Sequence, residues 1–251
     1  LDAMEAGRAW FVATWRNPLG TAALYGALIT HLCLVLWTLY QRRSLRMPRW
    51  QTGQILLGLT IPPLLAEHII GTRLLAELYG IGDTYTYVVL VLWEFAPEKG
   101  LQQAVVLIVA WLHGCMGLHF WLRTKPWYPA LVPYLYGVAL LLPVLALLGF
   151  AKAGQEVARL AAQPGWVAAV IKDLPFPSQA QIDMAGVFRD TAFAVFIGML
   201  VTVLVARLAR SVLERRRGVF HLIYPGGQRA RLSHGTTIPA ETGRDACRAR
   251  G

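Results

Sequence analysis

Charged residues are scarce in this chain of 251 residues. They make up 15% of it, against 56% hydrophobic residues, whereas soluble domains carry about 25% charged residues. The composition argues against a soluble enzyme and excludes a disordered chain. Cysteine is scarce too, since only Cys33, Cys115 and Cys247 occur and they form no motif. This pattern argues against both a disulfide framework and a zinc site.

Acidic residues are outnumbered by basic ones. The chain has 24 Lys and Arg against 14 Asp and Glu, which gives a formal net charge of +10. In so apolar a chain, the excess is more typical of the basic loops of a membrane protein than of a nucleic-acid-binding surface. We therefore predict an integral membrane protein surrounded by lipid, with no nucleic-acid partner.

Long apolar runs predict the membrane-spanning helices. A helix needs about 20 predominantly apolar residues to cross a bilayer. The ten uncharged residues 84–93 are too short and predict a re-entrant or interfacial segment. We predict an all-α integral membrane fold, a bundle of five transmembrane helices followed by a short β-hairpin. The five spans are 18–40, 50–75, 100–122, 126–151 and 184–206.

Basic residues concentrate in alternate loops. The connections after the first, third and fifth spans are rich in Arg and Lys, whereas the other connections are balanced or acidic. Because cytoplasmic loops carry the excess of Lys and Arg, this pattern predicts that the N-terminus lies outside and the C-terminus lies in the cytoplasm. An odd number of spans agrees with that orientation.

Four regions are predicted along the chain. Residues 1–17 carry Trp10, Phe11 and Trp15 among polar residues, which favours an interfacial helix. Residues 18–210 form the bundle, and its outer connection 152–183 is predicted to contain two short surface helices, ended by Pro164 and Pro175. Residues 211–232 are a cytoplasmic linker helix and the hairpin, because two β-rich runs flank Pro-Gly-Gly. Residues 233–251 are unpatterned and look like a truncated tail.

Four of the six histidines lie inside predicted spans: His31, His68, His113 and His119. Ionisable groups at membrane depth are costly and mark ligand sites or relays. A single such histidine is best explained by a hydrogen bond between helices, but four on three helices favour shared ligation of haem iron. Matching depths along the helices pairs His31 with His119 for an inner haem and His68 with His113 for an outer one. No C-x-x-C-H occurs, so both haems are expected to be b-type. A protein with one haem stays an alternative.

Further site residues follow from this hypothesis. Haem propionates need cations, and the candidates are Arg42, Arg43, Arg46, Arg73 and Arg123, although the basic-loop rule explains any single one of them better.

A polar, aromatic pocket beside an outer haem is the candidate quinone site. Its residues are Tyr85, Tyr87, Trp93 and Glu94, with an interfacial aromatic belt as the alternative of equal weight.

The segments WLHGCMGLHFW and FHLIYPGGQRARL carry a family resemblance. The histidine-rich five-helix bundle resembles the dihaem cytochrome b anchor of succinate dehydrogenases and fumarate reductases. The hairpin is similar to the opening of plant-type [2Fe–2S] ferredoxin domains. Together they resemble the N-terminal part of bacterial class III adenylate cyclases that have a dihaem membrane anchor. The resemblance implies that the four histidines bind two haems and that the protein lies in the bacterial inner membrane.

The chain departs from that family in one respect. It has no cysteine loop for a cluster and no cyclase domain, so alone it is expected neither to bind an iron–sulfur cluster nor to make cyclic AMP. The leading hypothesis is a redox sensor in which quinol or quinone exchanges electrons with two b-haems and controls an attached cytoplasmic effector, expected to be an adenylate cyclase. The alternatives are a quinone-reactive cytochrome b subunit of a respiratory complex and a haem-free anchor. A homodimer fits either kind of anchor.

Overall fold

The computed structural model describes residues 1–42, 44–172, 176–216, 220–223 and 229–232. The helices are α1 (Asp2–Trp15), α2 (Pro18–Gln41), α3 (Arg49–Ile69), α4 (Leu75–Tyr79), α5 (Tyr85–Leu90), α6 (Pro97–Leu122), α7 (Tyr128–Ala161), α8 (Trp166–Lys172) and α9 (Gln179–Arg216). A π-helical turn, Ile70–Leu74, joins α3 to α4 without a break, and a second, Val91–Phe95, follows α5.

Five helical segments in the described part of the chain are long and apolar enough to cross a membrane. They are α2, the continuous run Arg49–Tyr79, α6, α7 and the stretch Gln179–Leu213 of α9. The segment Tyr85–Phe95 is apolar but shorter. The prediction of five helices of spanning length, with one short apolar segment between the second and the third, is therefore confirmed.

Helix packing follows the order α2, α9, α3, α6, α7, in which each helix contacts the next. Helices α3 and α6 run antiparallel. Two contacts define their register: Gln54 lies beside His113, and His68 lies beside Gln103. Pro62 and Pro63 both lie inside α3. Because proline has no N–H, two carbonyls in the middle of this helix lose their usual donors.

The best-packed apolar core lies at one end of the bundle. It consists of Val89 and Leu90 of α5 with Ala153 and Val157 of α7, surrounded by side chains of α8. The 34 residues of α7 span about 51 Å at 1.5 Å per residue, more than the roughly 30 Å hydrocarbon core of a bilayer. We call this group the cap: α5, the π-helical turn after it, the end of α7, and α8.

One expectation about the cap is wrong. Residues 157–163 do not form a separate surface helix, because α7 continues to Ala161. No proline interrupts the chain between Pro143 and Pro164, so the spanning helix simply extends. The second predicted helix is present as α8, while its predicted end at residues 173–175 lies outside the described residues.

Helix α1 is attached to the segment before α5 by charged groups. Arg8 and Arg16 both pair with Asp83, whose side chain is only 17% exposed. Glu5 accepts a hydrogen bond from the backbone N–H of Tyr85 at 2.6 Å, and the hydrogen bond from Arg8 lowers the pKa of Glu5. The opposite side of α1 exposes Trp10, as an interfacial helix requires.

Replacing Asp83 with asparagine should loosen α1. The substitution removes the countercharge of two arginines, and each such pair contributes up to about 1 kcal/mol when partly exposed. Hydrogen exchange of the backbone amides of residues 2–15 should therefore become faster. Asp190→Asn is the matched control, because Asp190 is 72% exposed and pairs with its neighbour Arg189. Unchanged exchange in Asp83→Asn would contradict the role of these ion pairs.

Gly154 is expected to be essential for the packing of the cap. A Cβ at this position would overlap the indole of Trp93, which also packs edge-on against Phe150 at 5.6 Å between ring centroids. Gly154→Ala should lower the free energy of unfolding by about 1–3 kcal/mol, the usual cost of overpacking. Gly149→Ala on the same helix has open space around it and should not destabilise the protein. Thermal unfolding compares the two, and equal unfolding temperatures would contradict this packing.

Two short strands follow α9. Strand β1 (Phe220–Ile223) pairs antiparallel with β2 (Arg229–Leu232), so that Phe220 lies opposite Leu232. The predicted Pro-Gly-Gly turn, within residues 224–228, lies outside the described residues, and so does the tail 233–251. The hairpin as a ferredoxin-like unit stays a prediction.

Candidate functional site

Two of the four histidines meet in the middle of the bundle. His31 of α2 and His113 of α6 have ring centroids 6.1 Å apart, with ring planes at 76°. His31 is exposed within the single chain and His113 is half-buried. The site therefore has one imidazole on each of two different helices, with open space around one of them.

Helix α3 holds the His113 ring. Its Nδ1 lies 3.1 Å from the carbonyl oxygen of Gln54, and because a carbonyl only accepts, Nδ1 is the protonated nitrogen. The lone pair on Nε2 is then free to bind a metal. The Gln54 side chain donates back to the His113 carbonyl at 3.0 Å, and the ring packs directly on Gly58. Two helices thus fix both the position and the tautomer of this imidazole.

His68 lies at a different level from His113. Its Nδ1 is 3.2 Å from Oε1 of Gln103, which lies ten residues before His113 on the same helix, or about 15 Å along the axis. The expected outer pair of His68 with His113 therefore does not fit this register. The expectation had placed both residues near the middle of their helices, whereas the continuous helical run that begins with α3 extends outward as far as Tyr79.

His119 lies near the opposite end of α6. Its Nδ1 is 2.8 Å from the hydroxyl of Tyr128, and the residue follows His113 by six positions, about 9 Å. The structure brings His31 to His113, and so it does not bring together the expected inner pair of His31 with His119. Gln103, which marks the level of His68 on α6, lies 16 residues before His119, or about 24 Å along the axis. His68 and His119 of one chain are therefore too far apart to bind the same ion.

The His31–His113 pair fits a bis-imidazole iron site. A ligating imidazole nitrogen lies about 2 Å from its metal, so two imidazoles on opposite sides of one ion have ring centres about 6 Å apart. The observed separation matches this value. In the part of the chain that the structure describes, no group of three or more His, Cys, Asp or Glu converges as a metal site. The two imidazoles of His31 and His113 are the donors that this site offers, and imidazole is a common metal ligand.

The arginines predicted to bind propionates are dispersed. Arg42 contacts Met47 and Arg46 is exposed, whereas Arg43 lies outside the described residues. Arg73 pairs with Glu77 at 3.1 Å on the π-helical turn. A fifth candidate, Arg123, lies at the far end of α6 over aromatic rings.

All four quinone-site candidates belong to the cap. Tyr87 is buried against Phe176, and burial raises the pKa of both Tyr85 and Tyr87. Glu94 is exposed. Trp93 borders a cavity of about 410 Å³, which is lined by Leu92, Trp93, Pro97, Gly100, Leu101, Ala104 and Phe150.

An ion-pair cluster joins three helices near His68. Glu67 of α3 binds Lys99 of α6 at 2.7 Å and Arg189 of α9 at 3.4 Å. Neither Glu67 nor Arg189 is among the site residues predicted from the sequence. A carboxylate and a cation that both lie inside spans were the available signal that two helices pack together there.

Sequence reasoning also missed Gln54, Gln103 and Tyr128, the partners of three histidines. Gln54 and Gln103 lie inside predicted spans, where a polar amide is a signal of a contact between helices.

No family model, curated protein or solved structure matches the chain. The fold and the site define its class by themselves. Its described residues form a helical bundle with five helices of membrane-spanning length, which holds two imidazoles about 6 Å apart near its centre. The resemblance to cytochrome b anchors stays a prediction.

Proposed function

We propose that this protein is a haem-binding membrane anchor that senses redox state. The observation that carries the proposal is the pair His31 and His113, whose ring centroids are 6.1 Å apart in the middle of the bundle. His113 bonds to the backbone of α3 and also faces His31 of α2, and a role in packing alone would not require the second imidazole.

His31 and His113 would be the axial ligands of one b-type haem, which supplies one-electron transfer when bound. The residues around them prepare this role. The Gln54 carbonyl holds the proton of His113 on Nδ1 and so keeps Nε2 available, while Gly58 leaves space for the ring. His68 has the same arrangement on Nδ1 but lacks a facing histidine among the described residues. We therefore propose one haem per chain instead of the two expected from the sequence.

The cap would receive the electron partner. The apolar cavity beside Trp93 lies between the π-helical turn, the start of α6 and α7, where a membrane-dissolved quinone or quinol has access. The aromatic side chains of Trp93 and Phe150 border this cavity and suit a quinone ring. With the N-terminus outside, as the loop charges favour, the cap faces the outer side of the bacterial inner membrane.

Helix α9 would carry the signal to the cytoplasm. Its 38 residues reach about 57 Å, far beyond a bilayer core of about 30 Å. Arg207 of α9 donates to the carbonyl of Arg42 at 2.8 Å, and Arg210 lies 5.5 Å from the ring of Tyr40. The helix that carries His31 is thus attached to the output helix. A redox-dependent shift of α2 would alter the pose of α9 and of an effector such as an adenylate cyclase, provided that the two states differ in free energy.

A reduced-minus-oxidised absorption spectrum of the purified chain, with haem quantified per chain, tests the function. We expect the bands of a b-type haem at one haem per chain. A colourless protein, after expression with haem supplied, would contradict the proposal. Two haems per chain would contradict the stoichiometry and favour ligation by His68 and His119 as well.

A further inference from the structure

The end of the bundle where α6 finishes and α3 begins is rich in basic residues. The stretches 40–66, 99–155 and 191–213 contain no Asp or Glu. Six cations at this end form no ion pair with any described residue: Arg42, Arg46, Arg49, Arg123, Lys125 and Arg207. Arg207 has no ionic partner either, but its side chain donates a hydrogen bond to a backbone carbonyl. This end therefore has a large positive charge that a ligand can neutralise.

One of these cations is held in a defined position. The guanidinium of Arg123 lies 5.5 Å from the ring centre of Trp50 and 5.2 Å from that of Phe120, and the two rings pack at 4.1 Å. Stacking on aromatic rings fixes the plane of a guanidinium but leaves its N–H groups free at the edge. Such an edge matches two oxygens of a phosphate.

A second donor lies one helical turn away. His119 and Arg123 are four residues apart and share a face of α6, and both side chains are exposed. The hydroxyl of Tyr128 lies 2.8 Å from Nδ1 of His119. The hydroxyl can donate to Nδ1, and in that tautomer the neutral imidazole carries its proton on Nε2 and has a hydrogen-bond donor there. That tautomer suits an anion rather than a metal, the opposite of the arrangement at His113.

We propose that Arg123 and His119 form a binding site for the headgroup phosphate of an anionic phospholipid. The site lies where a span ends, and Trp50 and Trp127 are partly exposed beside it, as is typical of the membrane interface. Basic pockets between transmembrane helices bind anionic headgroups in this way. The proposal does not depend on haem, because it uses neither His31 nor His113.

Lipid binding to the purified full chain tests the site. The chain is titrated with an equimolar mixture of phosphatidylglycerol and phosphatidylcholine, and bound lipid is read by native mass spectrometry. We expect wild type to prefer phosphatidylglycerol and Arg123→Gln to lower its occupancy about tenfold, the loss of a hydrogen bond to a charged group. Tyr128→Phe should also weaken binding, since Nδ1 of His119 loses its donor. Arg46→Gln is the matched control, because Arg46 is exposed at the same end.

The outcomes separate the sources of the phosphate. An equal loss in Arg123→Gln and Arg46→Gln would overturn the site and leave only diffuse attraction. Displacement of the lipid by inorganic phosphate at the same concentration would also overturn it, because the ligand would then be a free anion. Thermal unfolding in phosphatidylcholine alone is measured for each variant, and a loss of lipid in a variant that unfolds like wild type supports the proposal.

Discussion

His113→Ala and His31→Ala should each yield a protein without bound haem, whereas His119→Ala should keep the haem content of the wild type. The two imidazoles that face each other at 6.1 Å are the proposed axial ligands, and a b-type haem has no covalent attachment to hold it when one is lost. His119 lies about 9 Å further along α6 and points to Tyr128 instead. Haem per chain, quantified from the absorption spectrum of each purified variant, gives the answer.

Two further outcomes keep this prediction falsifiable. Loss of haem in His119→Ala together with His31→Ala, but not in His113→Ala, would restore the inner pair that helix depth alone suggests. His68→Ala is the second control, because His68 lies level with Gln103 and about 15 Å from His113 along the axis. Each variant must unfold within a few degrees of the wild type in a haem-free preparation, since an unfolded protein would lose haem for another reason.

The sequence predicts the number of spanning helices because only length and composition decide it. Each of the five runs is longer than about 20 residues, and no neighbour is needed to recognise it. The short segment Tyr85–Phe95 was recognised for the same reason. The extension of α7 to Ala161 was missed because a chain leaving the membrane carries charges, such as Lys152 and Glu156, without having to end its helix.

The pairing of the histidines depends on register, which the sequence does not reveal. Depth was counted from the middle of each apolar run, as if all helices were centred alike. The run Arg49–Tyr79 is 31 residues long, so its apparent middle and its true contact with α6 differ by several residues. The contact between Gln54 and His113 fixes the register, and a single glutamine in an apolar run gave no sign of which residue it would meet.

The quinone-site residues show a similar limit. Tyr87 and Trp93 were selected for their aromatic rings near acidic residues, but both contribute to the packing of the cap. Trp93 still borders a cavity, so packing and binding coexist there. Composition indicated which residues lie at the interface, and only the positions of α6 and α7 decide which of them border open space.

Gly58→Ala should greatly reduce haem binding, although it changes no proposed ligand. A Cβ on Gly58 would lie 2.6 Å from Cε1 and 3.1 Å from Nδ1 of His113, too close for either contact to persist. The ring must tilt away from α3, which breaks the hydrogen bond from Nδ1 to the Gln54 carbonyl. Nε2 then moves with the ring, and the His31–His113 separation no longer suits two ligands of one iron. We expect haem occupancy to fall at least about tenfold, in line with an overpacking cost of 1–3 kcal/mol.

Gly53→Ala is the matched control, five residues earlier on the same helix. A Cβ there has open space around it, and alanine favours a helix over glycine by about 1 kcal/mol, so this variant should bind haem normally and be no less stable. Both variants gain the same helix propensity, and therefore a difference in haem content between them isolates the contact with His113. Equal haem content in the two would mean that the orientation of the His113 ring does not govern binding, and the role of α3 in fixing that imidazole would have to be abandoned.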